Sequence, residues 1–566
     1  MPPRRAHRNR ESPARAATIC EASTDSRSDS VARSSTIRRR SSDVIDRSPP
    51  SSPVASMPSS VKSSPRRRRA CLADLIAGCH QLRVHGDPST VVAGIQYDSR
   101  LVEPGDLFVA LRGGHFDGHA FIDDAIRRGA VAAMVETEVR GDVPTLVTSD
   151  TRAWLPPVAA SYFGRPSDEL GVVGITGTDG KTTTSYLVDA ILREARSTTG
   201  MVGTVSVRIA DQVVDHETRQ TTPESLDLQR YLRAMVDQGV EWATLEATSH
   251  GLDLHRMDEI RFAIGAVTNI THEHLEHHKT IASYRRAKGI LFERVAANGG
   301  TAIVNLDDEG AREMLRYTGA SKVVTYGLVD QAADVRAEQV ELGVGGSRFL
   351  LRTPHGESRI EMPLVGGFNV ANALCAVGVT LAAGVGVEVI ARSLRHATPV
   401  PGRMARLDLG QPFSVIVDYA HTPESLTKVL DLLRSLNPNG RLLAVSGSAG
   451  DRDTTKRPIQ GAVSASLADI SIFTTEDPRF EEPDRIIDQI AGGAAATGAR
   501  PGLDYHCVID RREAVRLAFS LAQPGDCVLL AGKGHERSII WGHEKRPWDE
   551  AGVATELLVE MGFGAD

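Results

Sequence analysis

The stretch Gly174-Ile175-Thr176-Gly177-Thr178-Asp179-Gly180-Lys181-Thr182-Thr183 decides how this chain is read. Ahead of it, the apolar run Leu170 to Ile175 predicts a short buried strand; behind it, Thr183 to Ala195 predicts a helix. Glycines between strand and helix let backbone N–H groups approach phosphate oxygens at the positive end of the helix. Lys181 is then placed to reach the outer phosphates, and the Thr182 hydroxyl to ligate Mg²⁺. The spacing is not G-x-x-x-x-G-K-[ST], since Ile175 stands where the first glycine would fall; it is the narrower T-G-T-x-G-K-T form. A glycine-rich turn with a surface lysine explains the order of strand, glycines, Lys-Thr and helix poorly. Gly177, Thr178, Asp179, Gly180, Lys181, Thr182 and Thr183 are therefore the expected triphosphate loop, with ATP the expected co-substrate.

On either side of this loop the pattern alternates strand with helix. At 566 residues the chain exceeds one core. The expected architecture is α/β in three domains: residues 71–165, a central phosphate-loop domain with a parallel sheet over 166–398, and residues 399–566. Central strands are expected at Trp242 to Glu246, Ala263 to Thr268 and Thr301 to Asn305, and later ones at Ser414 to Asp418, Leu442 to Ser446, Ile470 to Thr474 and Cys527 to Ala531. In the first domain, strands at Leu107 to Leu111 and Ala130 to Val135 enclose a helix at Phe121 to Arg128. Pro399-Val400-Pro401-Gly402 is the clearest linker.

Composition narrows the function. Hydrophobic residues make up 41% and charged residues 24%, ordinary for a globular protein, and no apolar run approaches the length of a membrane span. Six cysteines lie scattered without a C-x-x-C pair, which argues against both a disulfide framework and a zinc site and fits a reducing cytoplasm. The net charge of −7 conceals a split: residues 1–70 carry 15 Arg and one Lys against six acidic residues, so the remainder is strongly acidic. An acidic body excludes nucleic acid as the expected partner. Residues 1–70 are Ser/Arg/Pro-rich and expected to be a disordered extension without catalytic role, with Met57 a candidate later start. Six acids and no amphipathic stretch weigh against an organelle leader there, and the lack of an apolar core weighs against a secretory signal.

Three features beyond the loop carry chemistry. Glu246 ends a predicted strand, where a carboxylate suits Mg²⁺, an ion that prefers oxygen ligands. The run His272-Glu273-His274-Leu275-Glu276-His277-His278 suggests zinc by composition, but it lacks H-E-x-x-H, and His272, His277 and His278 are expected in a solvated loop. Lys288, taken alone, reads as a helical surface lysine.

In order along the chain, these motifs resemble the Mur ligase family, over roughly residues 71 to 566. Asp98-Ser99-Arg100 with Pro104-Gly105-Asp106 and Asp117-Gly118-His119 resembles the domain that grips a uridine nucleotide, and Thr221-Thr222-Pro223 the loop that holds a muramoyl-dipeptide. The resemblance implies that Tyr97, Ser99, Thr221, Thr222, Thr248 and Arg256 bind UDP-N-acetylmuramoyl-dipeptide. Where the family usually shows Ser and Gln, this chain has Thr248 and Leu254, so the Gln contact is not carried over. The resemblance further implies catalytic roles for Lys181, His274 and Lys288, and Mg²⁺ held by Thr182, Glu246, His274 and Lys288, the lysine carried as N6-carboxylysine. A cationic lysine would repel Mg²⁺, whereas its CO₂ adduct supplies hard anionic oxygens. Gly367-Phe368-Asn369-Val370-Ala371-Asn372 resembles the adenine-side motif, and Arg403 and Asp418 the groups that close on ATP. The first domain is then the UDP-binding one and the last a Rossmann-like one.

For the amino-acid pocket the resemblance implies Arg452, Glu476, Asp477, Pro478, Arg479, Gly532 and Glu536. Arg452 and Arg479 suit the carboxylates of meso-diaminopimelate and Glu536 its distal ammonium. Glu476-Asp477 stands where diaminopimelate-adding members read Asp-Asn, and the added charge of Asp477 would favour lysine or ornithine instead. The expected reaction is ATP-dependent addition of meso-diaminopimelate, with lysine or ornithine the alternative acceptors, to UDP-N-acetylmuramoyl-L-alanyl-D-glutamate through an acyl phosphate, by a cytoplasmic monomer that neither binds nucleic acid nor inserts in membrane. A folylpolyglutamate- or cyanophycin-type ligase would lack the Asp98-Ser99-Arg100 block; a non-catalytic nucleotide binder would lack Glu246, His274 and Lys288. Asp179 replaces the family's usual Asn, and its charge is expected to weaken ATP binding unless it faces solvent or metal.

Overall fold

The computed structural model describes residues 68–564 apart from 114–116, 139–141, 216–219, 272, 274 and 344–345. Almost all of the Ser/Arg-rich extension and the candidate ligand His274 therefore lie outside the described residues. The remainder is α/β around three principal sheets.

The first sheet has five strands in the order Arg83–His85, Thr145–Val147, Ala132–Val135, Asp106–Val109, Gly94–Gln96, parallel except for the first. Asp106–Val109 and Ala132–Val135 are buried throughout, as expected of parallel strands covered on both faces. Helix Thr151–Phe163 covers this sheet, capped by Asp150, which accepts from Arg152 N and Ala153 N.

The central sheet has eleven strands. Its parallel middle runs Thr199–Val202, Trp242–Glu246, Gly171–Thr176, Ile264–Val267, Thr301–Asn305, Lys322–Gly327. Strand order reverses at Gly171–Thr176: Trp242–Glu246 and Ile264–Val267, successive strands of the chain, lie on its two sides, so a crevice opens at its carboxyl end. Glu246 is paired with Ile175 and Val267 with Thr176, which brings three strand ends level beside the glycine loop. Helices Lys181–Glu194 and Gly367–Ala382 cover one face of this sheet, and Ser225–Asp237 and Ile281–Ala297 the other.

The outer strands depart from the all-parallel expectation. Ser206–Ile209 with Gln212–Asp215, and Val335–Gly343 with Gly346–Thr353 and Gly356–Met362, form antiparallel wings at the two edges. Val335–Gly343 buries alternate residues over its first half, the period of a strand with one wet face.

The last sheet has six strands in the order Ala405–Leu407, Ser414–Asp418, Cys527–Ala531, Leu442–Ser446, Ile470–Thr474, Tyr505–Val508, parallel except for the first. Its carboxyl ends gather the segments beginning at Tyr419, Gly447, Thr475 and Gly532. Among the described residues no helix is long and apolar enough to cross a membrane.

Candidate active site

The glycine loop is held by the segment after the next strand. Thr178 N donates to Asn269 O at 2.7 Å and Asp179 N to Asn269 Oδ1 at 3.0 Å. Thr268 Oγ1 donates to Asp179 O at 2.6 Å, and Thr271 N to Thr178 Oγ1 at 3.0 Å. Gly177 has φ +148°, and a Cβ there would stand 1.8 Å from Thr268 Oγ1. Gly180, at φ +83°, leaves room for Asn372 Oδ1, which a Cβ would approach to 2.2 Å. The helix begins at Lys181, so its unpaired N–H groups face the loop.

Two lysines converge on one carbonyl. Lys181 Nζ donates to Gly177 O at 2.9 Å and Thr178 O at 2.8 Å; Lys288 Nζ donates to Gly177 O at 2.8 Å. Lys288 is only 1% exposed, so the surface reading of this residue is corrected: its helix faces the loop. Burial and then the neighbouring Lys181 push its pKa well below the ordinary lysine value, against the opposing pull of Glu273 and Asp179. Such a lysine holds a neutral amine far more readily than a surface one.

Beside it, Glu246 gathers hydroxyls. Thr182 Oγ1 donates to its carboxylate at 3.1 Å, Thr204 Oγ1 at 2.8 Å and Thr204 N at 2.9 Å. Thr204 Oγ1 also donates to Thr221 Oγ1 at 3.0 Å. A carboxylate ringed by hydroxyl oxygens is a hard donor set and fits Mg²⁺. Thr204 carried no motif in the sequence; its place comes from the turn after strand Thr199–Val202, and it lies 42 residues before Glu246.

Toward the first sheet, Thr222 is buried and braces the strand end: its Oγ1 donates to Glu246 O at 2.8 Å and lies 2.8 Å from Thr248 Oγ1. Arg256 donates to Thr222 O at 3.1 Å and pairs with Glu224 at 3.1 Å, whose other partner, at 2.9 Å, is Arg152. Tyr97 OH donates to Asp227 Oδ2 at 2.6 Å, and Ser99 is buried in the adjoining turn. Burial raises the Asp227 carboxyl, opposed by Arg230 and Tyr97.

A cavity of about 510 Å³ adjoins the loop, lined by Asn269, Asn372, Arg403, Asp418 and Lys428 among others. Both Asp418 oxygens accept backbone N–H groups, from Met404 at 2.7 Å and Ala420 at 2.8 Å, while Arg403 lies 4.6 Å over the Tyr419 ring. Asp179, whose charge sequence reasoning left unplaced, is paired with Lys428 Nζ at 3.0 Å. Thr183 lines the same cavity.

The amino-acid motifs collect at the ends of the last sheet. Lys533 is fully buried; its Nζ donates to Asp477 Oδ1 at 3.0 Å and to Glu536. Asp477 Oδ1 also accepts Ile540 N at 2.9 Å. The Asp477 charge thus has a cation inside the protein, though one that also serves Glu536. Glu476 is buried beside Gly532, and Arg479 N donates to Ile540 O at 3.0 Å, tying Pro478 and Arg479 to hairpin Ser538–Trp541 and Glu544–Pro547. Arg452 is exposed on the loop that follows Ser446. Buried Arg457 forms a two-pronged pair with Glu481 at 2.8 and 2.9 Å, and Arg511 with Glu550 at 2.8 Å on each prong. Nothing in the local sequence marks Glu481 or Glu550 as their partners.

Three family models match the chain in order: "Mur ligase family, catalytic domain" over residues 91–159, "Mur ligase middle domain" over 175–380, and "Mur ligase, glutamate ligase domain" over 402–534. The chain belongs to the Mur ligase family and is an ATP-dependent ligase. It is 44% identical over 488 residues to a UDP-N-acetylmuramyl-tripeptide synthetase of Roseiflexus sp. (strain RS-1), covering 84% of this chain and 96% of that protein. It is 40% identical over 484 residues to a UDP-N-acetylmuramoyl-L-alanyl-D-glutamate--2,6-diaminopimelate ligase of Geobacillus kaustophilus (strain HTA426), covering 84% and 97%. A solved structure of a ligase of that second name is similar with TM-score 0.61 and 29% identity, covering 87% of this chain and 99% of that one.

Proposed function

We propose that this enzyme joins diaminopimelate, in its meso form, to UDP-N-acetylmuramoyl-L-alanyl-D-glutamate at the expense of ATP, in peptidoglycan synthesis. The observation that carries the reading is the convergence of Lys181 and Lys288 on Gly177 O, with Thr182 and Glu246 in contact alongside. In this reading residues 71–165 hold the UDP-sugar, 166–398 hold ATP and 399–566 hold the amino acid, in a cytoplasmic monomer.

The loop N–H groups and Lys181 hold the triphosphate; Lys181 leaves its carbonyl partners for phosphate oxygens. Arg256, Thr248 and Thr221 orient the dipeptide so that its D-Glu side-chain carboxylate faces the γ-phosphorus. That carboxylate takes the phosphoryl group and ADP leaves. The acceptor amine then attacks the acyl carbon, phosphate departs, and an amide remains. Thr182 and Glu246 would hold one Mg²⁺, and His274 with carboxylated Lys288 a second. The metal would supply neutralisation of phosphate charge. The neutral amine favoured at Lys288 is what CO₂ requires: nitrogen attacks carbon, a proton leaves to solvent, and a carbamate forms.

Binding of the acceptor falls to Arg452 and Arg479, while Asp477 and Glu536 share the one ammonium of Lys533 and keep a negative charge for the acceptor's distal ammonium. The test supplies UDP-N-acetylmuramoyl-dipeptide and ATP with diaminopimelate, lysine or ornithine separately, and measures phosphate release. Release with diaminopimelate at least tenfold above the other two is expected; no release with any acceptor would defeat the ligase reading.

A further inference from the structure

Of the histidines expected in a solvated loop, His277 and His278 do not lie open to solvent, and His272 lies outside the described residues. Helix Leu275–His278 folds His278 into the protein, 6% exposed, and half-buries His277. Their rings stand 4.6 Å apart and at right angles. His277 Nε2 lies 2.8 Å from Asp253 Oδ2, an aspartate at the end of helix Ser249–Asp253. The ring of His250, from the same helix, lies 4.3 Å from that of His277 and 5.4 Å from that of His278. Among the described residues, Asp253, His277 and His278 are the group whose ligand atoms all fall within 4.8 Å of one another.

The chemistry of this set differs from that of the phosphate site. Two imidazoles and a carboxylate are the ligands of a borderline ion; Mg²⁺ takes oxygen. Around a tetrahedral zinc with bonds of about 2.0–2.1 Å, ligand atoms lie about 3.4 Å apart. Binding would draw these ligand atoms, all within 4.8 Å of one another, together to that spacing. The sequence argument against zinc in this run rested on the absence of H-E-x-x-H, which says nothing of a third ligand from elsewhere in the chain. Folding supplies that ligand from Asp253, 24 residues upstream of His277.

We propose that Asp253, His277 and His278 form a zinc site, with the fourth position left to water beside His250. Zinc there joins the segment after Glu246 to the segment that carries His274, and fixes the approach of that segment to the nucleotide loop. The site depends on none of the ligase chemistry, so it is tested apart from it.

The full chain is stripped with chelator and titrated with Zn²⁺, then separately with Co²⁺, in millimolar Mg²⁺ without nucleotide. One equivalent is expected to bind. The Co²⁺ form should show intense visible bands of a tetrahedral centre, and Zn²⁺ should raise the melting temperature. His277→Gln, at a half-buried position, and Asp253→Asn, at an exposed one, should each weaken binding by about tenfold or more and abolish the melting shift, while melting without metal close to wild type. Glu246→Gln should leave zinc binding intact. Absence of a bound equivalent, equal binding by H277Q and D253N, or loss of the site in E246Q would each overturn the proposal.

Discussion

Asp179 and His535 show how a side chain's neighbours set its behaviour. An extra carboxylate beside a triphosphate ought to repel it, yet Lys428 stands 3.0 Å away and both groups are 45% exposed. A pair so exposed is worth about 0.2–1 kcal/mol. Asp179→Asn should therefore change the KM for ATP by less than about fivefold. Lys428→Ala should raise it more, because the carboxylate is then uncompensated, and the double variant should return toward wild type. Steady-state kinetics of the three variants check this; equal KM values for the Lys428→Ala and double variants would show that Asp179 is not what Lys428 offsets. His535 is pushed down to about 3 by burial and then by Arg403 and Lys533. Its unfolded pKa is about 6.5, so its contribution to stability is full above that value and is lost as pH falls from 6.5 toward 3. Between those limits the wild type should lose at most about 1.4 kcal/mol per pH unit more than His535→Gln, read by denaturant unfolding.

At the scale of elements, strand ends were the legible part of the sequence. Trp242–Glu246, Ser414–Asp418 and Cys527–Ala531 fall where apolar runs end in a polar or glycine signal. The helix after the glycine loop begins two residues earlier than its apolar pattern suggests, because Lys181 and Thr182 form its first turn. The antiparallel wings went unread, since their strands are half-polar and their pairing depends on register across the sheet edge. Partners were hidden in the same way. Thr204 meets Glu246 from 42 residues away and Lys428 meets Asp179 from 249, distances that no local pattern spans. Lys288 was misjudged alone because helical spacing gives a face but not what covers it. The element most exposed to a single change is the loop itself. Gly177→Ala combines φ +148° with a Cβ 1.8 Å from Thr268 Oγ1. It should cost about 1–3 kcal/mol of local strain and abolish detectable ATP binding, measured by calorimetry with nucleotide.

Across the whole molecule, the Arg152–Glu224–Arg256 bridge links a helix of the first sheet to the central one. Arg256→Ala leaves Glu224 to Arg152 alone and loosens Thr222 O. The KM for the UDP-linked dipeptide should rise about tenfold or more, with the KM for ATP little changed, as expected when one hydrogen-bonded charge contact of about 1.5–3 kcal/mol is lost. Equal effects on both substrates would mean that the bridge holds the domains rather than the sugar peptide.

The linker between the central and last sheets is not a free tether. Gly402, at φ +67°, lies so close to the Gly534–His535 peptide that a Cβ would stand 2.2 Å from it. The next residue, Arg403, rests on Tyr419, against which His535 also packs at 5.0 Å. The joint and the segment Gly532 to Glu536 are thus one piece of masonry. If that segment holds the amino acid, as proposed, its load falls on the pivot and, through Arg403, on the wall of the cavity beside the glycine loop.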